Sequence, residues 1–414
     1  MMSIDVLIIG TGEYVTGLTH GSVIDSDKSL GVIGIVLFDL RRRGLVNTIR
    51  ICGQRGNRFP LIRKHFRKNI ADTYQEMNVE FTQYPEDDEY DSRAWHHALA
   101  EMAAGGAVII VTPDDSHYEM AKAALEKGLQ VLVVKPLVKS LKEHQALNTL
   151  AQKHNLLLAT EMHKRFDPFY MDARDRAENL GDFSHFYSYM SQPKHQLDTF
   201  SQWAGKSSDI SYYLNSHHVD WLVWCLSGRT RPETVSALAA TGVASNKLGV
   251  EMEDTITLNV QWRNLGTHHL AMSSHTASWI APKTDAHSQQ RFFYMGHEGE
   301  LQVDQAHRGY QQSTSAGYAS LNPLFMKYTP TNGYFSGQQG YGYLSIAYFI
   351  EAALARKKGE WNIMLEERLA KASETQQVTA ILEAGRQSLD AGGKITRIAY
   401  TDGASIVPAY ISAE

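Results

Sequence analysis

Cysteine is scarce: Cys52 and Cys225 are the only two in 414 residues. That excludes a disulfide framework and a cysteine-built zinc site. No apolar run approaches the roughly twenty residues that span a bilayer. The first residues lead into an apolar segment without a basic flank, so a signal peptide is not expected. Neither sign of charge dominates. A net charge of −5 offers no surface for nucleic acid or an anionic membrane. Internal repeats and low-complexity tracts are absent. What is present is ordinary for a soluble globular chain: 43% hydrophobic and 21% charged residues. The length suits two domains. A cytoplasmic protein with a small-molecule partner is the expectation.

The most informative stretch runs from Ala107 to Ser140. Residues 108–111 are all apolar, as in a parallel strand buried on both faces. Residues 112–115 form a polar turn, and Ser116 with Glu119 has the spacing of a capping box that opens a helix. Gly128 ends that helix. A second apolar strand at 131–134 runs straight into Lys135-Pro136. This is a βαβ unit. It leaves Lys135 at the carboxyl end of a parallel strand, the edge where open α/β sheets bind ligands.

The first strand, 4–9, feeds Gly10-Thr11-Gly12-Glu13-Tyr14-Val15-Thr16-Gly17. Two glycines spaced Gly-x-Gly permit a tight turn and close approach of a pyrophosphate. Val15 occupies the position of the usual third glycine. Residues 31–43 carry apolar residues at helical spacing and read as a helix, lengthened by an insertion around 25–28. The rival reading makes them the second strand, with Asp39 as the ribose-binding acid. The better second strand is 48–53. It ends in Gln54, Arg55 and Arg58, where an NAD-preferring enzyme would carry an acid. Arginines there suit a 2′-phosphate; the bland alternative is a solvated basic loop. Residues 60–68 and 92–103 look helical. Ser140 and Glu143 make a second capping box before a helix to about His154, and a strand at 156–160 follows.

Beyond residue 160 the pattern changes. Residues 255–262 alternate strictly, with Ile256, Leu258, Val260 and Trp262 on one face. Segments 183–190, 233–241, 268–275, 291–296 and 300–305 read as neighbouring strands. Residues 343–357 and 366–391 read as closing helices, and 313–339 as a long loop. The expected fold is an α/β Rossmann domain, residues 1–160, plus an α+β domain with a mostly antiparallel open sheet, residues 161–414. On a helix spanning 210–226, Tyr213, His217, Asp220, Trp221 and Trp224 share one stripe. Such a stripe is either core or a site. Adjacent His217 and His218 point about 100° apart on a helix and cannot chelate one ion. No metal is expected.

The segment VIIVTPDDSHYEMAKAALEKGLQVLVVKPL resembles the "V-x-x-x-T-P-x-x-x-H…A-L-x-x-G-x-x-V-x-x-E-K-P" segment of the Gfo/Idh/MocA oxidoreductases. Val134 stands where that family usually has Glu. The helix SHHVD resembles the family's "D-x-G-x-H-x-x-D" motif, with Tyr213 where Asp is common and Asn215 where Gly is. The resemblance implies a sugar oxidoreductase that forms a homo-oligomer. It places the dinucleotide on Gly10, Gly12, Glu13, Tyr14 and Val15, on Gln54 and Arg55, and on Thr112, Pro113, Asp114, His117 and Lys135. It makes Lys135 and His217 catalytic, with Tyr213 a proton donor or a pocket wall, and puts His163, Arg165 and Asp220 at the substrate. NADP(H) is expected in preference to NAD(H). The opening IGTGEY and FDLRRRG are similar to the D-galacturonate reductases. The cations His163, Lys164 and Arg165 suit a sugar acid. An NAD-dependent polyol dehydrogenase and a non-catalytic dinucleotide-binding regulator stay open.

Overall fold

Short β-rich runs bounded by glycine and polar turns organise the first half of the chain. Ile4–Ile9 (β1), Val46–Cys52 (β2), Thr82–Tyr84 (β3), Ala107–Ile110 (β4), Gln130–Val134 (β5) and Leu158–Glu161 (β6) form one sheet. The structure is a computed structural model that describes residues 2–413 apart from 20, 21, 24–27, 316 and 361. The strand order is β3-β2-β1-β4-β5-β6, all parallel. That order reverses between β1 and β4, which opens a crevice at the carboxyl ends of both strands. β1, β4 and β5 are almost entirely buried because helices cover both faces.

The expected helix at 31–43 is α1, Ile33–Arg42. Asp39 therefore lies on a helix, not on a strand, and its carboxylate accepts from Tyr343 Oη at 2.6 Å and Arg42 Nε at 3.0 Å. It is not available to a ribose. The insertion expected around 25–28 falls largely outside the described residues. Phe59–Phe66 (α2), Ala94–Ala100 (α3), His117–Glu126 (α4) and Leu141–Lys153 (α5) are the other helices of this half. Neither capping box closes: Ser116 and Ser140 make no side-chain cap. Ser116 Oγ turns back to Thr112 Oγ1 and the Pro113 carbonyl, at 2.8 and 2.7 Å. The Leu141 N–H takes Glu383 Oε2 instead, at 2.6 Å.

Pro168–Ala177 (α6) leads into the second sheet. Its strands are Phe183–Pro193 (β7), Thr230–Thr241 (β8), Glu253–Asn264 (β9), Leu270–Ala281 (β10), Gln289–Gly296 (β11) and Gly299–Asp304 (β12). The order is β12-β11-β7-β10-β9-β8, extended at the β8 edge by Thr396–Tyr400 and Pro408–Ala413. β7 and β10 are parallel and the other pairings are antiparallel. The strict alternation in β9 does its expected work. Ile256, Leu258, Val260 and Trp262 are buried, packed with Trp221 of α7 (Ser216–Cys225) and with Ile381 of α9 (Gln376–Asp390). The opposite face is open, with Tyr187, Leu238 and Met272 exposed.

The chain then returns to the first sheet. Helix α8, Tyr341–Lys357, buries Ile346, Phe349, Ile350 and Leu354 in the core that holds Ile4, Val6 and Ile8. The strand Ala370–Lys371 pairs antiparallel with β6. This corrects the expected continuous helix 366–391, which is interrupted by that strand before α9 begins. The expected loop 313–339 contains part of a hairpin, Gln311–Thr314 with Gly317–Ser320.

Arg165, just after β6, and Asp220 of α7 form a bidentate pair at 2.9 and 2.7 Å, each about 1% exposed. These were expected at the substrate. They are instead a buried link between the segment that follows β6 and helix α7, because each charge has its best partner in the other. Breaking such a pair strands one charge in the interior. Asp220→Ala should cost about 3 kcal/mol, at the low end because Glu374 Oε2 lies 3.6 Å from Arg165 Nη1. Urea unfolding measures it. A loss under about 1 kcal/mol, the scale of a solvated pair, would show that the link is dispensable.

Candidate active site between the two sheets

The crevice outside β1 and β4 continues into a cavity of about 1140 Å³, whose other wall comes from the second sheet. Its floor begins at the glycine turn. Gly10 has φ +133, and a Cβ there would lie 2.0 Å from the Val111 carbonyl oxygen, so the close approach of β1 to the end of β4 requires glycine. Gly12 differs. A Cβ on it would meet nothing within 4 Å, and the residue lines the cavity. The space over this turn is therefore open to a ligand that needs the backbone uncovered. The helix that follows is a single turn, Glu13–Thr16. Glu13 and Tyr14 line the cavity. Val15 does not: it is buried in the first core, so its assignment to the cofactor is corrected.

Gln54, Arg55 and Arg58, after β2, line the same cavity, as do Thr112, Pro113 and Asp114 after β4. His117 is fully buried and outside the lining. Its ring nitrogens lie 2.9 Å from the carbonyls of Pro136 and Thr112. It ties the two strand ends together from behind, which corrects its expected contact with cofactor.

Lys135 leaves the end of β5 into the cavity. Its Nζ donates to the Tyr213 carbonyl oxygen and lies 3.7 Å from the centre of the Tyr213 ring. Burial lowers its pKa to about 7, against the opposing pull of Asp114 and Glu161 and with help from Lys28. The Asp114 carboxyl is pushed upward by burial, only partly countered by His117, Ser208 and Lys135. Tyr213 sits in a π-helical turn, Ser211–Asn215, ahead of α7, so the expected straight helical stripe is broken there. Its ring also packs on Phe200 and Trp203. Its ring and carbonyl meet the lysine, as a pocket wall would.

His217, on the first turn of α7, lines the cavity with His163. Their rings are 4.9 Å apart. Burial holds His217 well below its usual pKa, and His163, Lys135, Lys164 and His218 deepen the effect, so it is neutral. Its Nδ1 is buried without a hydrogen-bond partner among the described residues. His218 points elsewhere, with Nε2 2.9 Å from Tyr170 Oη. Lys164 is outside the lining; it donates to Gln290 Oε1, and Gln290 is in the lining.

Sequence reasoning passed over Glu161, the last residue of β6. It is 3% exposed, accepts from Ser345 Oγ of α8 at 2.7 Å, and lies 3.4 Å from His163 Nδ1. Burial pushes its pKa up, but His163 and hydrogen bonds from His163, Ser345 and Tyr14 outweigh that and hold it low. A charged residue closing an apolar strand was the available signal. Also missed were Gln192, His195, Trp203, Lys283 and His287, which the second half contributes to the wall. These follow no local motif. No helix among the described residues is long and apolar enough to cross a membrane.

Residues suited to a dinucleotide thus line one edge of this cavity: an uncovered glycine turn, a strand end with two arginines, and the polar turn after β4. Residues 4–162 match a family described as oxidoreductase family, NAD-binding Rossmann fold. Among curated relatives, the chain is 40% identical to the scyllo-inositol 2-dehydrogenase (NAD(+)) of Bacillus subtilis over 72 residues, 17% of this chain and 21% of that one. It is 24% identical to the scyllo-inositol 2-dehydrogenase (NADP(+)) IolU of the same organism over 217 residues, covering 51% and 61%. An uncharacterized Escherichia coli oxidoreductase, YdgJ, is 33% identical over 116 residues, 27% of this chain and 34% of that one. These matches span less than two thirds of the relatives' lengths. Whole-chain likeness comes from solved structures. GenD2 from gentamicin A biosynthesis, in complex with NAD, superposes with a TM-score of 0.68 at 17% identity, covering 97% of both chains. The scyllo-inositol dehydrogenase of Lactobacillus casei, with bound NAD(H) and scyllo-inositol, gives 0.64 at 15% identity, covering 96% and 99%. At such identities the likeness is one of fold. Gly12→Val should fill the open space over the turn and abolish dinucleotide binding in a folded protein, as read by fluorescence titration with NADH and NADPH.

Proposed function

We propose that the chain is an NAD(P)-dependent oxidoreductase of the Gfo/Idh/MocA kind acting on a sugar or polyol; the match of residues 4–162 to that family's NAD-binding Rossmann fold supports this. The observation that carries this reading is the pair Lys135 and His217. One comes from each half of the chain, and both face the cavity into which the glycine turn opens. When bound, the dinucleotide supplies the hydride acceptor or donor. Lys135, with a pKa near 7, takes the proton of the substrate hydroxyl during oxidation and returns it during reduction. Neutral His217 hydrogen-bonds the same oxygen and orients it. Glu161, through His163, steadies that imidazole from behind.

The named relatives favour a polyol or sugar dehydrogenase over uronate reduction, since those with a stated substrate include inositol dehydrogenases. The packing of Arg165 points the same way. A sugar acid was expected to use that guanidinium, and Asp220 holds it instead. The open face of the second sheet supports self-association. For the cofactor, Arg55 and Arg58 support NADP(H). Burial and then the neighbouring Arg55 both lower the Arg58 pKa, so the two cations gain from an anion between them.

The test is a panel of inositols, neutral sugars and galacturonate with each nicotinamide cofactor, followed by absorbance of the reduced form. Turnover of neutral polyols is expected, and none with any substrate or cofactor would leave a binding role. At saturating cofactor, kcat/KM for oxidation should rise with pH through about 7 and then level, because protonated Lys135 cannot accept the proton. Lys135→Ala should remove that limb and lower kcat by roughly 10²–10⁴. His217→Ala should lose a similar amount, and the double variant far less than the product. Separately, Arg55→Ala should weaken NADPH much more than NADH. Equal binding of the two by the unaltered protein would overturn the NADP(H) assignment.

A further inference from the structure

One end of the second sheet gathers three side chains that carry metal-ligating atoms and take no part in the cavity. Asp182 lies just before β7, His269 just before β10, and His297 in the turn between β11 and β12. β11, β7 and β10 are consecutive in the sheet, so each strand presents one ligand at the same end. One ligand atom from each residue lies within 4.8 Å of the others. None of the three lines the cavity described above.

The backbone around them is fixed. The His297 N–H donates to the Asp182 carbonyl at 2.9 Å. Asn264, 3% exposed, uses its side chain as a staple. Its Nδ2 donates to the carbonyls of Phe183 at 2.9 Å and His269 at 3.2 Å, and its Oδ1 accepts the Phe183 N–H at 3.1 Å. Thr267 Oγ1 donates to Asp182 Oδ2 and orients the carboxylate, as outer hydrogen bonds do at metal centres. His269 Nδ1 lies 3.4 Å from Asp182 Oδ2. Bonds of about 2.0–2.1 Å to a tetrahedral ion set neighbouring ligand atoms roughly 3.3–3.4 Å apart. That pair already has the spacing of one tetrahedral edge. The His297 ring is 5.6 Å from His269 between centroids and sits on an exposed turn, and its ligand atom lies within 4.8 Å of the other two.

We propose that Asp182, His269 and His297 form a surface site for a divalent transition metal of the zinc type. Two imidazoles and one carboxylate select zinc, cobalt or nickel over magnesium and calcium, which prefer all-oxygen shells. Three protein ligands leave the fourth position to water. The ion fastens three neighbouring strands at the end of the second sheet.

The test uses the full chain, stripped with a chelator and titrated with zinc chloride by calorimetry. Cobalt(II) absorption serves as a probe of geometry. One equivalent of zinc should bind, cobalt should give the intense visible bands of a tetrahedral site, and magnesium should give no heat. His269→Ala and His297→Ala should each weaken zinc at least about tenfold, and the double variant should abolish binding. His268→Asn, which alters the neighbouring histidine and keeps a residue tolerant of its left-handed backbone, should bind zinc as the unaltered chain does. Zinc should raise the melting temperature of the unaltered chain but not that of the double variant, and the metal-free melts of the two show that both fold. The proposal is overturned if the unaltered chain binds no zinc, or if the double variant keeps its affinity. Either result would make the cluster a histidine–carboxylate surface pair only.

Discussion

Lys135 rests on the ring of Tyr213, and that contact joins the two halves of the chain at the point where the proposed chemistry occurs. Two effects compete over the lysine's proton. The aromatic face and the Tyr213 carbonyl favour the ammonium, the face by about 2 kcal/mol when desolvated, or somewhat over one pKa unit. Removal from water favours the neutral amine by up to 3–5 units. Burial wins, leaving a group poised near pH 7. A lysine in the same strand position without the second sheet above it would stay charged. The order of assembly is therefore physical: the sheet edge supplies the residue, and the second half supplies its titration.

Much of this was legible in the sequence, and the reasons are local. β1, β4 and β5 are short apolar runs ended by glycine, Thr-Pro and Lys-Pro, and those turns fall at one end of one sheet. The alternation of β9 separated buried from exposed faces correctly because a single sheet face is covered. The helix at 31–43 was recoverable despite an insertion because its apolar spacing is helical throughout.

What was misread shares one cause. Arg165, Asp220 and His117 are polar residues beside recognisable motifs, and a sequence does not say which polar groups are spent on one another. Arg165 and Asp220 are 55 positions apart and neutralise each other in the interior. His117 is five and nineteen positions from the carbonyls it holds. Glu161 was missed for the converse reason. Its meaning depends on Ser345, 184 positions later, and on Tyr14, far earlier. Likewise His195 and His287 join the cavity wall from segments of the second half that carry no local motif.

The late return of the chain to the first sheet has a consequence for how the molecule holds together. Helix α8 and the strand Ala370–Lys371 occupy a face and an edge of the parallel sheet, although they follow strands β7 to β12 of the second sheet and precede its last two strands in sequence. The halves are thus interlaced, not strung in series. The nucleotide-binding half acquires its full apolar cover only after nearly the entire chain has been made. Until then, Ile4, Val6 and Ile8 have the apolar residues of the early helices α1 and α2 to share that core, without those of α8. The stability of the parallel sheet is therefore tied to the part of the chain that follows residue 340.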